Sequence, residues 1–279
     1  MQVVRTISEL RALRAGAASP VGLVPTMGAL HDGHLSLVRR AREECETVVA
    51  SLFVNPTQFG PNEDFDRYPR DEARDLALFE RDGTNIVFAP SVDEMYPGTL
   101  ATTVTLGGIA ERLEGATRPG HLDGVATVVA KLFNIVQPDR AYFGQKDGQQ
   151  LRVIRTFVRD LDMPIEVVGC PTVREQDGLA LSSRNVYLGA EERAQALSLS
   201  RGLRRAEAAF EDGARDAETL RRLVREEIEA QPLAEIDYVS LADSESLDEL
   251  DGDVAGEALL SLAVRLGATR LIDNVTLMP

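Results

Sequence analysis

Cysteine, histidine and lysine are scarce in this chain of 279 residues, and tryptophan is absent. The two cysteines, Cys45 and Cys170, lie far apart and form no CxxC pair, so we expect no structural disulfide and a reducing cytoplasm. No uncharged apolar run approaches the roughly 20 residues that a membrane-spanning helix needs. The N-terminal residues carry dispersed charges and lack the apolar core of a signal peptide. These absences argue against a membrane protein or a secreted protein.

Positive charge is also in short supply, because Asp and Glu outnumber Lys and Arg by 45 to 30. The formal net charge of −15 repels nucleic acids and anionic membranes, so we expect neither as a partner. It also repels ATP and carboxylate substrates, which must therefore bind where cations are concentrated locally. Lys131 and Lys146 are the only lysines in the sequence, so a lysine within a polar motif indicates a functional role. These limits favour a soluble enzyme that acts on small anionic substrates.

Apolar strands and amphipathic helices alternate through the first two-thirds of the chain. The pattern predicts strands at residues 21–25, 48–54, 85–89, 140–144 and 165–170, and helices at residues 35–44, 70–81, 125–136 and 149–160. This order predicts an α/β fold with a parallel sheet and helices on both faces. Ligands of such sheets bind beyond the carboxyl ends of the strands, and the polar clusters of this chain lie there.

The sequence changes character after about residue 175. The pattern predicts two long charged helices at residues 191–211 and 217–230, followed by strands at residues 236–241, 258–264 and 270–277. Gly267 supplies a turn between the last two strands, which indicates an antiparallel pair. We therefore predict two domains, one at residues 1–175 and a smaller α+β domain with a short antiparallel sheet at residues 176–279.

The most informative segment is residues 21–34, VGLVPTMGALHDGH. A buried strand passes through a Gly-containing turn into a helix, and His31 and His34 lie at that junction. Backbone N–H groups and the positive end of a helix dipole bind anions at such a place. An imidazole there can donate to a phosphate oxygen as charge builds up during a displacement. The segment predicts phosphate chemistry; the alternatives are a shared metal ion, for which no third ligand is evident nearby, and two surface histidines that cap the helix.

Amide side chains follow the second predicted strand. Asn55 and Gln58 lie in the sequence FVNPTQFG, and an amide offers both a donor and an acceptor to a hydroxyl or carboxylate group. The alternative is an ordinary Asn-Pro turn. Gln150, in the first turn of a later helix, could reach the same crevice as Gln58. His121, in the sequence RPGH, either lines that crevice or caps the helix that follows it.

Two further clusters carry positive charge. Lys146 follows a strand that ends at Gly144, and its ammonium group can neutralise phosphate charge. Asp147 could orient that lysine or help bind a magnesium ion that ATP carries, whereas the alternative is a surface charge pair. The segment 181–185, LSSRN, places two hydroxyls beside Arg184, whose planar fork suits phosphate oxygens. The alternative for this segment is a solvated loop between domains.

Together these motifs resemble those of the pantoate–β-alanine ligase (pantothenate synthetase) family. The resemblance runs nearly end to end and is carried, in order, by residues 25–34, 53–60, 118–121, 143–147, 181–185 and 268–275. It implies a cytoplasmic, homodimeric ligase that makes a coenzyme A precursor. It also implies a Rossmann-like, ATP- and pantoate-binding domain of the nucleotidylyltransferase superfamily. The smaller C-terminal domain is then expected to act as a lid.

The resemblance also implies roles for individual residues. The residues implied to be catalytic are His34, His31, Lys146 and Arg184. The residues implied to bind ATP are Met27, Gly28, His31, His34, Gly144, Gln145, Lys146, Asp147, Val173, Leu181, Ser182, Ser183 and Arg184. Gln58 and Gln150 are implied to bind pantoate, and Gln58 also β-alanine, while magnesium arrives with ATP rather than at a permanent site. The family often has Glu, Tyr and Met where this chain has Gln145, Gly148 and Leu181, and none of these departures removes a catalytic group.

The implied reaction is the ATP-dependent condensation of (R)-pantoate with β-alanine to pantothenate, AMP and pyrophosphate, through a pantoyl adenylate. Two alternatives stay open. Another nucleotidylyltransferase would adenylate a small acid without forming an amide, so its turnover would not need β-alanine. A non-catalytic nucleotide-binding regulator would bind ATP without any turnover.

Overall fold

A computed structural model describes residues 1–61 and 63–279 of the chain. The chain forms two compact units: residues 1–144 with 150–171 make unit 1, and residues 145–149 with 172–279 make unit 2. The predicted division into domains between residues 175 and 176 stays a prediction. The two units divide at residues 171 and 172, and the short segment 145–149 interrupts unit 1 in sequence.

The described residues form nine strands and ten helices. The strands are β1 (Gln2–Val4), β2 (Val21–Thr26), β3 (Thr47–Leu52), β4 (Ile86–Phe88), β5 (Arg140–Gly144), β6 (Glu166–Cys170), β7 (Ala234–Asp243), β8 (Ala258–Leu266) and β9 (Thr269–Leu277). The helices are α1 (Ile7–Ala15), α2 (Asp32–Glu44), α3 (Glu72–Arg81), α4 (Val92–Met95), α5 (Glu114–Thr117), α6 (His121–Val136), α7 (Gly148–Asp160), α8 (Ala190–Gln195), α9 (Leu197–Glu211) and α10 (Ala217–Glu229). Five short 3₁₀ turns include Pro56–Gln58, Gln145–Asp147 and Ser183–Tyr187.

Unit 1 contains a six-stranded parallel sheet in the order β1-β4-β3-β2-β5-β6. The chain builds outward from β2 in one direction and then returns to place β5 on the other side of β2. The strand order therefore reverses between β2 and β5, and a crevice for ligands is expected at the carboxyl ends of strands at such a switch point. The parallel sheet with helices that was predicted from the sequence is confirmed.

Alternate residues of the central strands of unit 1 pack into two separate cores. Val21 and Leu23 of β2 join a core with helices α1, α6 and α7, whereas Val24 joins a second core with α2 and α3. The strands are thus buried on both faces, as expected for the near-continuous apolar runs of a parallel sheet. Cys45 and Cys170 are free thiols buried in the second core. The polar segments of unit 1 follow the carboxyl ends of these strands.

Unit 2 contains an antiparallel sheet in the order β7-β8-β9. Alternate residues of β8 face a core that they share with apolar residues of α9 and α10. The predicted antiparallel pair is confirmed, and Gly267 adopts a positive φ of 57° in its turn. The prediction of one unbroken helix over residues 191–211 was wrong, because α8 and α9 meet at Ala196.

The N-terminal elements β1 and α1 were not predicted, and α2 begins three residues earlier than the apolar pattern indicated. His34 consequently lies in the first turn of α2 instead of before it. Among the residues that the structure describes, no helix is both long and apolar enough to cross a membrane.

Candidate active site

The turn that follows β2 is held by a buried carboxylate. Asp75 of α3 accepts hydrogen bonds from the backbone N–H groups of Ala29 (2.8 Å) and Leu30 (2.9 Å). Gly28 adopts a φ of +84°, and a Cβ there would lie 2.9 Å from Asp75 Oδ2 and from a methyl group of Leu52. The glycine is therefore required both by its backbone conformation and by the close approach of Asp75.

Asp75 is only 1% exposed, and this burial raises the pKa of its carboxyl group. The two backbone donors oppose that shift, because they stabilise the charged form. A buried carboxylate is unfavourable unless such donors satisfy it. The arrangement ties the backbone of the Met27–His31 turn to helix α3, so the position of His31 depends on a residue more than forty positions away in sequence.

His31 and His34 lie together at the start of α2. His31 is the residue that precedes the helix, and the two ring centroids are 4.0 Å apart. The backbone N–H of His31 donates to Nδ1 of His34 over 3.4 Å, a long hydrogen bond. Because a backbone N–H can only donate, Nδ1 of His34 acts as the acceptor and a neutral ring carries its proton on Nε2. Nε2 is therefore the atom from which His34 can donate to a ligand.

The turn after β3 brings Gln58 to the turn after β2. Asn55 donates to Oε1 of Gln58 over 3.1 Å, and Nε2 of Gln58 lies 3.1 Å from the sulfur of Met27. Tyr96 donates to Oδ1 of Asn55 over 2.8 Å, which fixes the orientation of that amide. Gln58 is thus joined to Asn55 and to Met27, and Met27 lies in the same turn after β2 as His31.

The RPGH segment supports the Gln58 turn through its backbone. His121 Nδ1 lies 2.7 Å from the backbone oxygen of Gln58, and its Nε2 lies 2.9 Å from Nη1 of Arg118. Arg118 in turn makes a two-pronged ion pair with Glu63, at 2.7 and 2.6 Å. The sequence left His121 between lining a crevice and capping a helix. The structure places it at the start of α6, with its ring on the backbone of the Gln58 turn.

In unit 2, the segment that carries Lys146 is anchored to strand β9. Asn274 of β9 donates from its side chain to the backbone oxygen of Lys146 over 2.6 Å. The Lys146 side chain is 19% exposed and its nitrogen lies 3.8 Å from Asp147, whose carboxylate is 45% exposed. A Cβ at Gly148 would approach the Asn274 side chain to 3.1 Å. Glycine at position 148 therefore leaves room for the side chain that holds the lysine turn.

The loop with Val173 and Arg184 is anchored to the neighbouring residue of the same strand. Asp273, which is 3% exposed, forms a two-pronged ion pair with Arg174 at 2.6 and 2.9 Å. The N–H of Leu181 donates to the backbone oxygen of Val173 over 3.0 Å, which closes the loop. Ser182 then caps the 3₁₀ turn by accepting from the N–H of Arg184. Within unit 2, one pair of β9 residues thus holds both predicted ATP-binding segments.

The predicted site residues fall into two groups. Unit 1 holds the residues Met27, Gly28, His31, His34, Gln58, Gly144 and Gln150, and unit 2 holds the residues Gln145, Lys146, Asp147, Val173, Leu181, Ser182, Ser183 and Arg184. Gly144 ends β5, and Gln150 lies in the first turn of α7. Their roles as ligands of ATP or pantoate stay predictions.

Sequence reasoning missed the residues that hold these side chains in place: Asp75, Glu63, Asp273 and Asn274. Asp75 offered one signal, because it precedes Phe79 by one helical turn on the apolar stripe of α3. A carboxylate at a core position indicates a specific polar partner. Asp273 and Asn274 belong to the terminal motif at residues 268–275, but their contacts depend on tertiary structure.

The chain matches the family described as Pantoate-beta-alanine ligase over residues 2–276. Pantothenate synthetase from Roseiflexus castenholzii is 59% identical over 277 residues, which cover 99% of each chain. The enzyme of the same name from Chloroflexus aurantiacus is 60% identical over 274 residues, or 98% of this chain and 97% of the relative.

Solved structures agree with these relatives. A pantothenate synthetase structure from Thermus thermophilus superimposes with a TM-score of 0.95 at 51% identity, covering all of both chains. The pantoate-β-alanine ligase of Francisella tularensis, solved with β-γ ATP and β-alanine, has a TM-score of 0.81 at 33% identity, covering 99% of this chain and 97% of that one. The resemblance drawn from the sequence motifs is confirmed: the chain belongs to the pantoate–β-alanine ligase family.

Proposed function

We propose that this protein condenses (R)-pantoate with β-alanine at the expense of ATP, and releases pantothenate, AMP and pyrophosphate. The observation that carries this proposal is identity of 58–60% along essentially the whole chain to enzymes named pantothenate synthetase. The related Francisella structure, which contains β-γ ATP and β-alanine, supports two of the proposed substrates. The turn that carries His31 and His34 also supports the proposal, because it lies where a parallel sheet is expected to bind an anion.

The chemistry must overcome the poor reactivity of a carboxylate toward an amine. In the first step, a pantoate carboxylate oxygen forms a bond to the α-phosphorus of ATP. The bond between that phosphorus and the bridging oxygen breaks, and pyrophosphate leaves with the electron pair. In the second step, the amine of β-alanine attacks the acyl carbon of the pantoyl adenylate. The carbon–oxygen bond to AMP breaks and the amine loses a proton, which completes the amide.

The proposed catalytic residues act mainly by positioning the reactants and by stabilising charge. His34 donates from Nε2 to the α-phosphate as negative charge increases there, and His31, Lys146 and Arg184 spread the remaining charge. The orientation of His34 supports this role, because its Nδ1 accepts from the backbone of His31. Gln58 and Gln150 bind pantoate, and Gln58 also contacts β-alanine. The other proposed ATP ligands are Met27, Gly28, Gly144, Gln145, Asp147, Val173, Leu181, Ser182 and Ser183.

Magnesium, a homodimer and a cytoplasmic location complete the proposal. Residues 1–61 and 63–279 contain no group of three or more His, Cys, Asp or Glu side chains that could hold a metal ion. We propose that magnesium arrives bound to the ATP substrate, with Asp147 as the acidic residue that the lysine turn offers to it. A magnesium ion on the phosphates of ATP neutralises part of their negative charge, which is useful because positive side chains are scarce in this chain.

The test is product analysis with ATP, pantoate and β-alanine, with each omitted in turn. Without β-alanine, release of AMP should nearly stop, while pantoate-dependent exchange of labelled pyrophosphate into ATP should continue. Continued AMP release without β-alanine would favour the alternative nucleotidylyltransferase, which adenylates an acid without forming an amide. Absence of any exchange would contradict the adenylation step itself.

A further inference from the structure

The RPGH segment lies outside the proposed set of substrate ligands, yet it makes specific contacts with the turn that carries Gln58. We propose that His121 is a positioning residue that holds the backbone of Gln58 and thereby sets the affinity of the site for pantoate. This inference rests on the proposed function of Gln58 as a pantoate ligand. Four observations carry it: the tautomer of His121, the ion pair behind it, the shape of α6 and the contacts of the Gln58 side chain.

The partners of His121 determine which ring nitrogen carries the proton. The backbone oxygen of Gln58 can only accept, so Nδ1 donates to it over 2.7 Å. The guanidinium of Arg118 can only donate, so Nε2 accepts from it over 2.9 Å. Both nitrogens are therefore engaged in a single neutral tautomer. This arrangement suits a structural link and leaves no ring nitrogen for proton transfer to a substrate.

A second link fixes Arg118 itself. Its guanidinium is paired with both carboxylate oxygens of Glu63, and Glu114 lies 3.7 Å away. A two-pronged Arg–carboxylate pair defines the plane of the guanidinium and not only its position. The donor that faces His121 is consequently aimed by Glu63. The series Glu63, Arg118, His121 and the Gln58 backbone is a continuous chain of hydrogen bonds, hereafter the RPGH relay.

Helix α6 has a shape that fits the same turn. A Cβ at Gly124 would overlap the backbone oxygen of Thr57, so only glycine allows this close approach. The backbone oxygen of Gly124 accepts from the side chain of Asn55 over 3.2 Å. Gly120 adopts a φ of +81° and directs the chain into the helix, so that His121 is its first residue. The glycines and the histidine of this segment therefore serve one purpose, which is to support the turn.

The Gln58 side chain depends on that support. Its Oε1 accepts from Asn55 and its Nε2 is directed at the sulfur of Met27. These contacts set which end of the amide faces each neighbour. The position of the whole side chain still depends on the Gln58 backbone, which His121 holds. Loss of the relay should shift the amide and weaken binding of a ligand that needs both its donor and its acceptor.

The experiment compares two variants that remove different halves of the His121 link. His121→Asn keeps a side-chain N–H near the position of Nδ1, whereas His121→Gln places its polar atoms near the position of Nε2. We expect His121→Gln to raise KM for pantoate about tenfold, the effect of one lost positioning hydrogen bond, and to leave KM for ATP within about twofold. His121→Asn should recover most of the affinity for pantoate. The assay is pantoate-dependent exchange of pyrophosphate into ATP.

Arg14→Ala is the matched control. Arg14 donates to the backbone oxygens of Val136 and Gln137 at the opposite end of α6, so its removal weakens the same helix away from the turn. It should lower the melting temperature without changing KM for pantoate. Equal KM values for pantoate in the wild-type protein and in both His121 variants would overturn the relay. The relay would also be overturned if His121→Gln raised KM for pantoate and KM for ATP by the same factor, because that result would indicate general destabilisation. Failure of the wild-type protein to catalyse exchange would instead contradict the proposed function.

Discussion

The two turns that follow β2 and β3 occupy equivalent places in the sheet but are held by opposite means. Their strands are direct neighbours, with Thr26 paired to Leu52 at the carboxyl ends. The turn after β2 is held by a buried carboxylate that grips two backbone N–H groups. The turn after β3 is held at the backbone oxygen of Gln58, which accepts a hydrogen bond from the neutral imidazole of His121. The charged group behind that imidazole is the guanidinium of Arg118. One turn thus presents donors to its anchor, and the other presents an acceptor.

This difference determines what each anchor can tolerate. Asp75 must remain an acceptor at both oxygens, so the charged carboxylate is its suitable form. His121 must remain neutral, because protonation of Nε2 would place a donor against the guanidinium of Arg118. The side-chain contact between Gln58 and Met27 joins the two turns. A substitution at one anchor should therefore also affect the other turn, but to a smaller extent.

The most severe way to break the turn after β3 is Gly124→Ala. The added methyl group would overlap the backbone of Thr57, which cannot move without displacing Gln58. We expect a loss of about 3 kcal/mol in the free energy of unfolding and loss of pantoate-dependent exchange. Denaturant unfolding measures the first quantity. Gly107→Ala is the control, since no heavy atom lies within 4 Å of its Cβ position. Equal stability of the two variants would show that the close approach at α6 carries no cost.

His34→Ala tests the catalytic end of the turn after β2. The adenylation rate should fall by about 10²-fold or more, as for the loss of a donor to the transition state. The fold should survive, because His34 contributes little to either core. Rapid-quench measurement of pyrophosphate release reports the rate, and circular dichroism reports the fold. A rate near that of the wild-type protein would remove His34 from the proposed catalytic residues.

Asp75→Asn sharpens the contrast between the anchors. The amide keeps one acceptor oxygen but turns an NH₂ group toward a backbone N–H, which leaves a buried donor unsatisfied. We expect the free energy of unfolding to fall by about 2 kcal/mol and KM to rise for ATP more than for pantoate. His121→Gln should show the opposite order of KM changes. If both variants changed the same KM, the two turns would not be separate in function.

A smaller effect concerns the pH dependence that His121, the anchor of the turn after β3, contributes to stability. Burial and the nearby Arg118 lower the pKa of His121 from 6.5 to about 4, and Glu63 and Glu114 oppose this shift only in part. The unfolded state therefore binds the proton more readily, so stability falls as pH decreases from about 6.5 toward 4. The loss from His121 should be roughly 1–2 kcal/mol at pH 5.5. His121→Asn should flatten this part of the stability curve, and an unchanged slope would contradict the neutral ring.

Local patterns were sufficient to predict the strand–turn–helix that carries His31 and His34, because it depends on a short apolar run, a glycine and helical periodicity. They were insufficient for Asp75, whose partners lie more than forty residues earlier and are backbone groups that leave no mark in the sequence. The break at Ala196 was missed for a related reason. Alanine favours helix and Ala196 keeps right-handed helical backbone angles, so the local sequence carries no signal for the break.

Strand β9 has a consequence for the order in which the protein matures during translation. Residues 145–149 and 172–185 leave the ribosome well before Asp273 and Asn274, the two side chains that anchor them in unit 2. Both loops therefore stay unanchored until β9 has been synthesised and has paired with β8. A nascent chain halted before residue 273 should already contain the histidine turn, but its lysine and arginine loops should have no fixed shape.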